Sequence, residues 1–233
     1  TILVSTMYVN NETGTILPIT EIGEVLRNHS AVYHVDAVQA VGKLTIKPEE
    51  LGIDFLSASG HKFHGPKGVG FLYASTMDFD SYMHGGDQEN KKRAGTENLP
   101  AIVGMVAALK EELSKQTENF QAVQRLKDLI LAKISSLNYY INHGKEQLPY
   151  VLNLGFPGQK NDLLLLRMDL AGISISTGSA CTAGIVQISH VLKAYYGNDS
   201  DRLHESVRIS LSPQNTEEEI IQLVNTLKEI IGD

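Results

Sequence analysis

Cys181 is the only cysteine in the 233-residue chain. One thiol excludes a disulfide within the chain, and it excludes a metal cage built from several cysteines of one chain. Long apolar runs are missing too: none approaches the roughly 20 residues needed to span a bilayer, and no charged-then-apolar leader opens the sequence. Positive charge is in deficit. A formal charge of −7 argues against a broad nucleic-acid surface and leaves room only for a local basic patch. Internal repeats and low-complexity segments are also absent. The 42% of hydrophobic residues suffices for one large domain or two small ones with real cores, and a cytoplasmic protein without direct nucleic-acid or membrane contact is expected.

Periodicity supplies the architecture. A β-rich run, 1–9, leads into the polar turn Asn10-Asn11-Glu12-Thr13-Gly14. Open parallel sheets place ligand groups at such strand ends, so Asn11 is a candidate contact; the alternative is an Asn favoured in turns for its tolerance of unusual backbone angles. A helix is expected over 18–29, with Pro18 near its start and Ile19, Ile22, Val25 and Leu26 as its apolar stripe. Strands near 31–36, 53–58 and 69–73 alternate with short crossovers, which indicates an α/β chain with a mainly parallel sheet covered by helices. The polar stretch 75–98 is long enough to be functional or disordered. Residues 99–136 read as a long helix with one break, bridging from a domain over 1–98 into a smaller α/β domain over 99–233. There, strands are expected at 150–154, 173–175 and 207–211 and helices at 162–171 and 216–231. Thr216 and Glu219 have the spacing of a capping box.

The stretch from Ser59 to Gly70, with Asp36 and Gln39 upstream, carries the chemistry. Lys62 follows the hydrophobic strand 53–58 and precedes a Gly/Pro-rich turn, so its amine is placed to meet the aldehyde of pyridoxal phosphate; burial or nearby cations must lower its pKa for a Schiff base to form. Lys67 reads as the solvated lysine. Asp36 ends the apolar strand 31–35, and a carboxylate against the cofactor's ring nitrogen keeps that nitrogen protonated. The 26 residues from Asp36 to Lys62 fit strand, crossover, strand. Gln39 is one turn on, where its amide can donate to the ring hydroxyl oxygen, while Ser59, Gly60 and His61 offer a hydroxyl and backbone N–H groups for phosphate. Singly, a lysine is ordinarily a solvated surface residue and a strand-end Asp ordinarily a cap; the combination carries the reading.

Two residues of the second half stand out. Cys181 lies among small residues, 176–184, which give no packing reason for a buried thiol and favour an accessible, reactive one over the inert buried cysteine common in general. Arg208 interrupts the apolar strand Val207-Arg208-Ile209, where its fork suits an amino acid's carboxylate or a structural salt bridge.

Six motifs in order, Asn10 to Gly14, His34 to Lys43, Ser59 to Lys62, Arg93 to Asn98, Thr177 to Gly184 and Val207 to Ser212, resemble those of the cysteine desulfurases, pyridoxal-phosphate enzymes of the aspartate-aminotransferase-like fold (fold type I). The resemblance covers essentially all of the chain. It implies removal of sulfur from L-cysteine to give L-alanine and a persulfide on Cys181, with Lys62 as general base and Arg208, with Asn11, holding the substrate. It also implies a homodimer in which Thr96 reaches the neighbouring subunit's cofactor phosphate, where the bland alternative is helix capping by Thr96. The sulfur acceptor would be an iron–sulfur scaffold or a tRNA-thiolating protein. Family members commonly read Gly-Gly-Gly where this chain has Gly85-Gly86-Asp87, so Asp87 adds a negative charge near the phosphate region. Thr1 is not an initiator methionine, and the family's N-terminal portion, with its Ala-Thr turn and ring-stacking histidine, is not among these residues; a piece of a longer protein is expected. Selenocysteine lyase, an incomplete fragment or scaffold domain, and another transferase or lyase on this fold are the alternatives.

Overall fold

Strands Leu3–Met7 (β1), Val32–Asp36 (β2) and Phe55–Ser59 (β3) run parallel, and Gly70–Ala74 (β4) returns antiparallel beside β3, giving the order β1-β2-β3-β4. The computed structural model describes residues 1–178 and 188–232. Pleating buries Tyr33 and Val35 and turns Val32 and Asp36 outward, so β2 ends on an exposed carboxylate above a buried apolar face. In register, Met7 pairs with Asp36 and Asp36 with Ser57. Ser59 and the turn after it therefore leave the sheet at the same carboxyl edge as Asp36. Ile19–Leu26 (α1) is shorter than the expected 18–29, with Pro18 at its N-cap position.

The chain divides into two compact units, Thr1–Val9 with Leu17–Gln116, and Asn10–Ile16 with Thr117–Asp233. Leu99–Ser114 (α2) groups with the first unit and the turn 10–16 with the second, whereas the sequence reading divides the chain at 98/99. The break in the long helical stretch falls at Lys115, before Gln116–Lys133 (α3). Asn98, not Thr96, caps α2, its Oδ1 accepting from the Ala101 N–H at 3.2 Å.

In the second unit Tyr140–Ile141 (β5), Val151–Gly155 (β6) and Ser206–Ser210 (β7) form an antiparallel sheet in the order β5-β6-β7. Every residue of β6 is buried, and the buried stripe Ile220, Leu223, Val224, Leu227 and Ile230 of Glu217–Gly232 (α7) adds to the same unit's core. Asn161–Leu170 (α4), His190–Tyr196 (α5) and Arg202–Glu205 (α6) complete it. The strand expected at 173–175 does not form. Only Ser176 bridges to β7, exchanging backbone hydrogen bonds with Arg208, so β-branched character at Ile173 and Ile175 finds no ladder to join. Among the described residues no helix is long and apolar enough to cross a membrane.

Candidate functional site

In the first unit, Asp36, Gln39 and the stretch Ser59 to Lys62 gather at one end of the parallel sheet. Asp36 Oδ1 accepts the Val38 N–H at 3.0 Å, an Asx turn that fixes the carboxylate where the strand ends. Gln39 lies in the turn beyond it and is half-buried. After β3 the chain tightens into a 3-10 turn, Gly60–Phe63, anchored by buried Phe63 and closed by His64 in the left-handed region at φ 65°. Lys62 is thereby carried on a fixed turn rather than on the strand itself. No hydrogen bond or ion pair holds its half-buried side chain among the described residues.

Of the groups expected at the phosphate, Gly60 has its N–H already engaged. The Gly60 N–H donates to the Val69 carbonyl at 2.9 Å and is therefore committed to the protein. Gly60 suits the close approach there: a Cβ would stand at a tight 3.2 Å from Met105 Cγ of α2 and from Val69 Cγ1 and O. Ser59 Oγ and His61 Nδ1 lie 2.9 Å apart in a hydrogen bond, so hydroxyl and ring orient each other. Lys67 is exposed, as is Thr96 in its loop. In that loop Asp87 faces Lys91 at 3.7 Å, an exposed ion pair that offsets the added negative charge.

Sequence reasoning passed over Lys43. Burial first, and then the positive charge of Lys62, push its ammonium down to about 8, with Glu112 acting against both. Buried Glu112 also meets His64 Nε2 at 3.7 Å. The signal was present in the sequence, as a lysine closing the His34 to Lys43 motif.

In the second unit the turn 10–16 is built by Asn10, not Asn11. Asn10 Oδ1 accepts from the N–H groups of Glu12 at 2.9 Å and Thr13 at 3.0 Å and from the Thr13 hydroxyl at 3.2 Å. Gly14 sits at φ 70°, where a Cβ would crowd the carbonyl oxygens of Val151 and Leu148 at 3.0 and 3.1 Å. The structure brings Asn11 and Arg208 together: Arg208 donates from an Nη to the Asn11 carbonyl oxygen at 3.0 Å. On β7, Arg208 lies opposite Asn153 of β6, whose side chain donates to the Glu12 carbonyl at 3.0 Å. The turn is thus tied to the sheet at two successive residues. Cys181 lies outside the described residues. Among the described residues no cluster of His, Cys, Asp and Glu is placed to hold a metal ion.

Several known proteins are similar to this chain in sequence and in structure. The "Putative cysteine desulfurase IscS 1" of Bacillus subtilis (strain 168) is 47% identical over 235 residues, covering 99% of this chain and 62% of that protein. The "Cysteine desulfurase IscS" of Methanosarcina thermophila is 40% identical over 234 residues, covering 99% of this chain and 58% of that one. The chain thus spans about three-fifths of the length of these relatives. A solved "NIFS-LIKE PROTEIN" superposes with a TM-score of 0.90 at 34% identity, over 100% of this chain and 61% of that chain. The NifS-like protein from Rickettsia africae gives 0.88 at 31% identity, over 99% and 62%. The architecture is that of the aspartate-aminotransferase-like fold type I expected from the motifs. The aminotransferase class-V family matches residues 1–223, and the chain belongs to that family.

Proposed function

We propose that this chain carries the catalytic residues of a pyridoxal-phosphate-dependent cysteine desulfurase, converting L-cysteine to L-alanine and leaving the sulfur as a persulfide on Cys181. The observation that carries the reading is the donor set at the carboxyl edge of the first unit's sheet. An exposed strand-end carboxylate, Asp36, and a lysine on a fixed turn, Lys62, leave the same edge without pairing to each other among the described residues. That set fits the cofactor: Lys62 would hold its aldehyde carbon, Asp36 its ring nitrogen, Gln39 its ring hydroxyl oxygen, and Ser59 and His61 its phosphate. When bound, the group supplies an electron sink for bonds at the substrate's α-carbon.

The chain's own residues do the rest. Lys62, once its amine is released, takes the α-proton as general base and returns a proton to carbon. Arg208 holds the substrate carboxylate with its guanidinium fork, and Asn11, whose carbonyl already accepts from Arg208, orients that fork. The Cys181 thiolate attacks the substrate sulfur: the carbon–sulfur bond breaks, a sulfur–sulfur bond forms, and alanine takes up the proton. Thr96 serves a neighbouring subunit's phosphate in a homodimer, and the persulfide passes to an acceptor protein of iron–sulfur assembly or tRNA thiolation in the cytoplasm. The relatives' names and the six ordered motifs support this reading.

The test is mass analysis of the chain after incubation with pyridoxal phosphate and L-cysteine. The expected result is one added sulfur on the peptide containing Cys181, formed with alanine and absent in Cys181→Ser. Alanine formation that continues unchanged in Cys181→Ser would remove the thiol from the reaction.

A further inference from the structure

Helix α4 is apolar on two opposite sides. Leu164 and Met168 are buried in the second unit, while Leu163, Leu166 and Leu170 are 55%, 56% and 80% exposed. A surface helix ordinarily turns one apolar stripe inward and charged residues outward, and a helix that is apolar all round is ordinarily covered on both sides. The outward leucines are spaced three and four positions apart, so they stand in one row along the helix. That row borders a hollow: a recess of about 360 Å³ lies between α4 and the last turn of α7, lined by Lys160, Leu163, Leu166, Arg167 and Ile230. A leucine from a partner has space to enter it.

Charge is sorted to either side of the row. By helical periodicity Lys160 and Arg167 fall on one flank and Asp162 and Asp169 on the other, and all four are exposed. Arg167 donates from Nη1 to the Ile230 carbonyl at 3.1 Å, which fixes its guanidinium beside the leucines; Asp162 Oδ1 accepts the Leu163 N–H at 2.8 Å. Lys160, Asp162 and Asp169 form no ion pair among the described residues. In heptad terms the leucines occupy a, d and a, the cations e, and the acids g. That placement selects the partner. A parallel copy of the same helix sets each g residue beside the following e residue of its partner, so Asp162 of each copy meets Arg167 of the other. An antiparallel copy would set like flanks together, cation on cation and acid on acid. The helix therefore carries its own complement, and a two-fold axis forms the pair twice.

We propose that α4 is a self-association surface, pairing in parallel with α4 of a second copy of this chain through the row Leu163, Leu166 and Leu170. A row of three leucines is a narrow patch, and it supports the weak, concentration-dependent association of small interfaces rather than a permanent dimer. The surface lies wholly within the second unit and does not depend on the desulfurase reading. A homodimer through Thr96 would use the first unit, and variants of α4 separate the two associations.

The test is sedimentation equilibrium of the full chain. The parent's weight-average mass is expected to rise by about 1.5-fold between about 10 and 300 µM, as a dissociation constant near the middle of that range requires. Asp162→Arg and Arg167→Asp each set like charges across the pair and are expected to abolish the rise. They move the net charge in opposite directions, so a loss shared by both is not an effect of overall charge. An equimolar mixture of the two variants restores opposite charges at both pairs and is expected to recover the rise. Leu170→Glu, at the most exposed position of the row, is expected to abolish it with a melting temperature equal to the parent's. If Arg167→Asp, which gives up the Ile230 carbonyl, fails to fold, Leu170→Glu and Asp162→Arg decide together. A parent mass constant over the range, variants that associate as the parent does, or a mixture no heavier than its components would overturn the proposal. A parent chain that forms no persulfide would remove the desulfurase reading and leave this measurement standing.

Discussion

Lys43 shows how a single residue can tie the candidate site to stability. Its ammonium gives up a proton near pH 8 in the folded chain, against an ordinary value of 10.5, because burial and the charge on Lys62 both disfavour it. Between those values the unfolded chain binds the extra proton, so stability rises with pH across that window. Below pH 8 the penalty is present in full, on the order of 3 kcal/mol at most by the conversion of pKa units to free energy. Lys43→Met is therefore expected to flatten the pH dependence between pH 8 and 10 in urea unfolding. A slope equal to the parent's would place the titrating group elsewhere. At this scale the sequence made the strand-end placement of Asp36 and Lys62 legible, and it singled out Asn11 and Arg208, which a hydrogen bond joins. It did not reveal that the Gly60 N–H is used by Val69, that Asn10 rather than Asn11 builds the turn, or that Glu12 reaches Ser189. The first and third of these depend on partners 9 and 177 positions away, which no local pattern records. The second turns on which of two adjacent asparagines folds back onto the backbone, and residue type does not distinguish them.

Elements were legible where a local signal was strong. The capping box read from Thr216 and Glu219 forms in both directions: the Glu219 N–H donates to Thr216 Oγ1 at 3.2 Å, and the Thr216 N–H to Glu219 Oε2 at 3.1 Å. The Asn215 amide and the Thr216 N–H also hold the Glu219 carboxyl below its ordinary range. That contribution is present above the unfolded value and is lost as pH falls through the folded one. Thr216→Ala is expected to destabilise the second unit by about 1 kcal/mol at neutral pH. Thermal unfolding checks it, and a melting temperature equal to the parent's would mean that α7 is held by its buried stripe alone. Weak local signals failed in both directions. The two-residue β5 has too short a run to show alternation, while Ile173 and Ile175 alternate without a neighbouring strand to pair with. Strand formation here was decided by partners rather than by propensity.

At the scale of the whole molecule, the class of fold followed from strands alternating with helices and from six ordered motifs, and the class-V family match over residues 1–223 agrees with it. The grouping of segments did not follow from order along the chain. Seven residues, Asn10–Ile16, leave the first unit to join the second, and their side chains and backbone bond to β6, β7 and α5 there. An excursion of that kind carries no composition shift, Pro/Gly run or linker to betray it. The proposed chemistry begins in the first unit, where Lys62 and Asp36 are proposed to hold pyridoxal phosphate. Incubation with the cofactor, borohydride reduction and peptide mapping by mass test this directly. A single pyridoxyl group is expected on Lys62, missing in Lys62→Ala. Lys62 left unmodified, with the label spread over Lys67 and other exposed lysines, would contradict it.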